Sequence, residues 1–362
     1  GGVASVDVHA FVSQGFILTL ENDYLADDTT DGSFEFTEVG INFTKQLTDD
    51  FRAGVQLFAQ DLGPVGNYSA SFDWFYLDYR LRDWLGFRAG RLKVPYGLHN
   101  EVQDIDAARV PILLPQSVYP LQTRQFLFAQ TGAELYGFLR SPALGALDYR
   151  LFGGTIFLDA ESLTAPGSPF EVAFDVPFVV GGRLLWETPL EGFRFGGSVQ
   201  FLRLDTTVLP PGAPSVVIEN RSSLWVGSAE YHVADLTLTA EYSRWTADQE
   251  SNNPMLSPPI EQVSERAYGM ATYRAATWLA PGAYYSVYFP DVDDRDAGRQ
   301  SYQHDVAATL RFDINAHWLV KVEGHYMVGT AGLVNPVSLS PTNTASATEH
   351  WAAYFLNTTA YF

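Results

Sequence analysis

The chain has 362 residues, a net charge of −20 from 22 Lys and Arg against 42 Asp and Glu, no cysteine, 14% aromatic residues and only 18% charged ones. The acidic balance excludes a nucleic-acid binder, which needs a basic stripe to release counterions. The absent cysteine excludes disulfide scaffolds, Cys-ligated zinc, iron–sulfur clusters and thiol catalysis. At 46% apolar the chain is too hydrophobic for disorder, yet no apolar run approaches the roughly 18–20 residues of a membrane-crossing helix.

Gly1-Gly2-Val3 opens directly into patterned sequence, so any export leader is expected to be removed already. Period-two alternation then recurs from end to end. Phe51, Ala53, Val55, Leu57 and Ala59 alternate with Arg52, Gly54, Gln56, Phe58 and Gln60. The same holds for Phe193 to Phe201, Leu236 to Ser243, Asp305 to Ile314 and Trp318 to Glu323. Short polar breaks fall near 48–50, 82–84, 141–142, 189–192, 233–235, 280–282 and 315–316. Longer ones fall near 21–33, 62–70, 94–129, 158–175, 206–219, 247–262, 290–300 and 331–347. Seven short breaks alternate with eight long ones, which predicts sixteen antiparallel strands of about 10–14 residues. All the short turns then share one side with both termini. That is the layout of a bacterial outer-membrane barrel, and residues 1–362 are read as one such domain.

Trp74, Trp84, Trp186, Trp245, Trp278, Trp318 and Trp351 sit near expected strand ends, as interfacial girdles require. The last strand carries Ala352, Tyr354, Leu356, Thr358, Ala360 and Phe362 on one face. This resembles the terminal signature read by the barrel assembly machinery. Of the competing soluble readings, a propeller calls for a recurring motif that the sequence lacks, and a tandem sandwich does not account for aromatic residues so consistently near strand ends.

Gly90-Arg91-Leu92-Lys93-Val94-Pro95-Tyr96-Gly97-Leu98 resembles the stretch that ends the fifth strand in phosphate-selective porins of the O/P type. His9 to Phe16, followed by Asn22-Asp23-Tyr24-Leu25, is similar to the first strand of related porins. The resemblance implies a sixteen-stranded barrel, a homotrimer, and a third extracellular loop folded into the lumen. Phosphate specificity is not carried over, because the chain has only Lys45, Lys93 and Lys321 as lysines.

The longest break, 94–129, is third in the loop order, and a loop of that length usually has a function. Its charges, Glu101, Asp104, Asp106, Arg109 and Arg124, are the expected constriction residues. Its apolar run Val110–Leu114 suits packing on an inner wall. Alternation assigns Arg52, Arg80, Arg150, Arg183, Arg194, Arg274 and Arg311 to the lumen, with Glu38, Asp78, Asp148, Glu187, Glu230, Glu241 and Glu323. These charges either pair to rigidify the wall or form an arginine track facing the loop carboxylates across the pore. Asp27, Asp28 and Asp31, with Asp291, Asp293, Asp294 and Asp296, form acidic loop clusters. The second can hold Ca²⁺ weakly, or both act as a rim bridged to lipopolysaccharide. Of the seven histidines, His304 and His325 are expected in the lumen.

These features predict a porin passing ions and small polar solutes, with no cofactor and no catalysis. A plugged structural or adhesin barrel is the first alternative, and an outer-membrane lipid hydrolase the second.

Overall fold

The computed structural model describes residues 5–63, 66–121, 124, 128–158, 171–212, 214–333 and 347–362. The sixteen strands are β1 (Asp7–Leu20), β2 (Thr37–Gln46), β3 (Phe51–Asp61), β4 (Ser71–Arg82), β5 (Leu85–Lys93), β6 (Ala129–Ser141), β7 (Gly145–Thr155) and β8 (Glu171–Glu187), then β9 (Phe193–Leu209), β10 (Val216–Val233), β11 (Leu236–Ser251), β12 (Ile260–Tyr273), β13 (Leu279–Phe289), β14 (Gln303–Asn315), β15 (Trp318–Gly329) and β16 (His350–Tyr361). Each pairs antiparallel with its neighbours in sequence. β1 closes the barrel on β16, from Phe11 opposite Tyr361 to Leu20 opposite Ala352.

Alternation sets the two faces. On β14, Val306, Leu310 and Ile314 are exposed while Asp305, Ala307 and Thr309 are buried. On β16, Tyr354 and Leu356 point out, and Trp351, Ala353, Phe355, Asn357 and Thr359 point in. The exposed apolar side chains form an outer belt around the whole barrel, a surface suited to lipid and not to water.

Two of the expected breaks change. The turn placed at 280–282 lies at 274–278, and Pro281 is inside β13, opposite Leu310. A Pro-Gly pair reads as a turn, but Pro is also tolerated close to a strand start. The 206–219 break shrinks to 210–215, because β8 to β11 run 17, 17, 18 and 16 residues. At about 3.3 Å per residue and a 40° tilt, such strands rise about 45 Å, above a hydrocarbon core of about 30 Å. Their upper ends are therefore polar by composition, as loops are, while remaining strand. The breaks at 158–175 and 331–347 fall largely outside the described residues.

The tryptophans divide. Trp84, Trp186, Trp278 and Trp318 are exposed on the outside, joined by Trp225. Trp74 instead stacks on Tyr76 beside Lys93, Trp245 lies under Arg266, and Trp351 is buried against Tyr24. These three face the lumen, so closeness to a strand end did not fix their side.

Candidate functional site in the lumen

Loop three leaves β5, and its described residues, 94–121, 124 and 128, fold inside the barrel. The apolar run explains why. Ile112 and Leu113 pack with Tyr24, Met327, Trp351 and Phe355, while Leu114, Val118 and Tyr119 pack with Tyr96, Tyr268, Met270 and Tyr284. Each such side chain fully buried contributes about 1.5–3 kcal/mol.

A loop with no ladder of its own must find partners for its buried amides. Wall carboxylates supply them. Glu323 on β15 accepts from the amides of Ile112 (2.7 Å) and Leu113 (2.9 Å). Glu241 on β11 accepts from the Leu98 amide (2.9 Å), the Tyr268 hydroxyl (2.7 Å), and the hydroxyls of Tyr119 and Ser228. Gly97 is required at the tightest point: its φ is +55°, and a Cβ there would meet the Tyr119 hydroxyl at 2.3 Å and Glu241 at 2.8 Å.

The loop's own carboxylates each meet wall cations. Glu101 binds Arg150 (2.5 Å) and Arg183 (2.9 Å). Asp104 binds Lys93 (2.6 Å) and accepts from Gln56 (2.8 Å). Asp106 binds the fully buried Lys321 (2.7 Å) and accepts from the Thr359 hydroxyl (2.8 Å). Burial alone would raise these three pKa values. The paired cations outweigh it and hold each below its ordinary value: Arg150 and Arg183 for Glu101, Lys93 and Arg124 for Asp104, Lys321 and Arg109 for Asp106.

The other sequence-assigned residues are placed as follows. Arg124 pairs with Asp73 (2.9 Å) and lies over the Phe128 ring; Arg109 donates to the Gln103 carbonyl (2.7 Å). Arg311 donates to the carbonyls of Ala107 (2.7 Å) and Arg109 (3.0 Å) and pairs with Asp313. Arg52 meets Asp78 (3.5 Å), and Asp148 meets Arg183 (3.3 Å). Arg194 meets Glu230 (2.7 Å). Arg80 shares the Asp78 face of β4 but is exposed, as is Glu187 at the end of β8; Glu38 is buried. Arg274 lines a cavity of about 570 Å³ beside loop three, with His99, Arg109, Glu230, His232, Arg311 and Asp313.

Of the arginine track, Arg150 and Arg183 contact the loop carboxylate Glu101 and Arg311 contacts loop carbonyls, whereas Arg52 and Arg194 pair with the wall carboxylates Asp78 and Glu230. Direct pairing is what the geometry shows for Glu101, Asp104 and Asp106. Several partners escaped the sequence reading: Asp73, Arg88, Glu134, Lys93 and Lys321. Arg88 was accessible from register, since it sits opposite Asp78 on one side and Glu134 on the other. Lys93 and Lys321 were counted only as evidence against phosphate.

His325 lies inward between Asp305 and Glu323, each 3.0 Å away. His304 does not: it lies outside the lumen, among Tyr285, Phe289 and Tyr302. Asp291, Asp293, Asp294 and Asp296 are spread along the loop between β13 and β14. Among the described residues, no three His, Cys, Asp or Glu side chains are grouped to hold a metal ion.

An antiparallel sixteen-stranded barrel with an apolar belt and a loop packed inside it defines an outer-membrane barrel of the porin type. No family model matches the chain, and no curated protein matches it. Solved structures match over its whole length. An anion-selective porin from Comamonas acidovorans superposes with TM-score 0.60 at 11% identity, covering 99% of this chain and 100% of that one. Salmonella typhi OmpF, solved in complex with daunomycin, gives 0.58 at 14%, covering 99% and 98%. The outer-membrane channel DcaP of Acinetobacter baumannii gives 0.59 at 11%, covering 99% and 97%. At these identities the likeness is one of fold.

Proposed function

We propose that the protein is a porin of the bacterial outer membrane, a passive channel for ions and small polar solutes constricted by loop three. The observation that carries this reading is the anchoring of loop three at separate wall stations, Arg150–Arg183, Lys93, Lys321, Glu241 and Glu323. A scaffold barrel has no need for a charged internal loop held in one register. The solved porins of like fold support the reading. So does the cavity of about 570 Å³ beside the loop, lined by His99, Arg274, Arg311 and other polar groups.

A homotrimer in lipopolysaccharide-rich membrane belongs to the proposal. The outer wall at β3 and β5 carries small residues, Ala53, Ala89 and Gly90, in a shallow apolar groove that admits a second barrel closely. Reconstitution in planar bilayers tests the channel. Stepwise conductance is expected, and removal of residues 104–114 is expected to increase it. Absence of conductance from both proteins favours the plugged barrel, the reading that the dry packing of Ile112, Leu113 and Leu114 also fits. His325 is bonded to two carboxylates, Asp305 and Glu323.

A further inference from the structure

Most of the lumenal cations described above have an acidic partner; Arg80, Arg274 and Arg266 have no ion pair among the described residues, and of these three Arg266 is the buried one. It projects inward from β12, is 8% exposed, and forms no ion pair among the described residues. Its Nε and Nη1 are buried without a hydrogen-bond partner there. A buried guanidinium left in that state is costly, and each such group calls for an explanation. Its plane is held from two sides: Cζ lies 5.1 Å from the Trp245 ring and 4.9 Å from the Tyr288 ring. Aromatic faces of this kind hold a guanidinium in place and leave its N–H edge free to donate.

Arg266 lines a small cavity on the lumenal face, with Tyr24, Ser117, Pro120, Ser286 and Tyr288 among its walls. Gln303 and Asp305 also border it, but both are committed. Gln303 accepts from the Gly332 amide (2.6 Å), and both Asp305 oxygens face His325 Nδ1 (3.0 and 3.2 Å). Arg266 therefore borders this cavity without a hydrogen-bond partner, near an Asp305 carboxylate that shares the single His325 with Glu323.

We propose that Arg266 is the anchor of a binding site for small monocarboxylates, with its guanidinium as the charged donor and Ser286 as a hydroxyl partner. A planar fork matches a carboxylate in shape. The cavity of about 80 Å³ sets the size. Set against an apolar cavity of about 150 Å³ that holds benzene, it takes about three to five non-hydrogen atoms, which fits acetate or propionate and excludes a sugar. This names a solute class for the proposed channel and rests on the lumen being the solute path.

The test is calorimetric titration of the whole barrel in detergent micelles with sodium propionate, against chloride and inorganic phosphate at equal ionic strength. Saturable propionate binding is expected. It should weaken about ten- to a hundredfold in Arg266→Gln, the range set by charge-assisted hydrogen bonds. Arg266→Lys should fall between, since it keeps the charge and loses the fork. Ser286→Leu, which fills the cavity without touching the cation, covers the case in which Arg266→Gln fails to fold, and it too should abolish binding. Equal binding by wild type and Ser286→Leu, or no saturable propionate binding by the wild type, overturns the site. Chloride or phosphate binding as tightly as propionate overturns its carboxylate class. Bilayer conductance is read on the same preparations. Binding without conductance removes the channel and keeps the site, whereas conductance without binding does the reverse.

Discussion

Lys321 shows how much one side chain can decide. Its ammonium is fully buried, donates to Asp106 Oδ1 at 2.7 Å, and also reaches the carbonyls of Asp106 (2.7 Å) and Arg109 (2.9 Å). It thus binds both the side chain and the backbone of the loop. Removing it strands a buried carboxylate, and breaking a buried pair from one side costs about 3–5 kcal/mol. Lys321→Met is therefore expected to destabilise the barrel by about that amount in urea unfolding from lipid vesicles. Adding Asp106→Asn should recover part of the loss instead of increasing it. Additive costs in the double variant would show that the two groups are not coupled. Composition hid this residue: three lysines looked too few to matter, whereas the position of one of them mattered. Arg266 was equally invisible, because a missing partner can be recognised only once the surrounding groups are placed.

At the scale of elements, the wall was legible and the loop's attachments were not. Alternation assigned the outward faces of β3, β9, β11, β14, β15 and β16 as the structure has them, because lipid on one side imposes a strict period of two. It failed where another force acted. Trp74, Trp245 and Trp351 turned inward to pack on lumenal charge or on loop one, and the polar tops of β9 and β10 continue the sheet above the membrane. Loop three was recognisable by length and by Val110–Leu114, but its partners are scattered over the chain, from Lys93 on the preceding strand to Glu241, Lys321 and Glu323. Its carboxylates give a pH prediction. Glu101, Asp104 and Asp106 are held below their ordinary values of 4.5, 3.8 and 3.8. A depressed folded-state pKa stabilises fully above the ordinary value, and that contribution is lost as pH falls through the depressed one. The loop should therefore stay anchored at pH 5 and loosen only at pH below the ordinary carboxylate values, as Arg150, Arg183, Lys93 and Lys321 lose their counter-charges. Single-channel recording should show conductance that rises and fluctuates on acidification and recovers on return to pH 7. A trace that changes already between pH 7 and pH 5 would contradict the anchoring role.

For the whole molecule, the net charge of −20 and the paired lumen must be reconciled. The paired groups nearly cancel, so the excess is carried elsewhere. Loop one, 21–36, contributes Glu21, Asp23, Asp27, Asp28, Asp31 and Glu35 with no Lys or Arg, and the loop after β13 adds Asp291, Asp293, Asp294 and Asp296. An acidic mouth concentrates cations and repels anions over about a Debye length, near 10 Å at 0.1 M salt and 3 Å at 1 M. Contact with a single arginine acts over a hydrogen bond and is little screened. The two together disfavour phosphate and dicarboxylates at the mouth more than a monovalent acid, which agrees with a site sized for propionate. Cation preference is therefore expected at 0.1 M KCl, read from the reversal potential across a salt gradient, and should fade toward 1 M. The triple variant D27N/D28N/D31N should reduce it at low salt only and leave propionate binding intact. A preference that survives 1 M salt, or that the triple variant leaves unchanged at 0.1 M, would locate ion selection at loop three instead of at the rim.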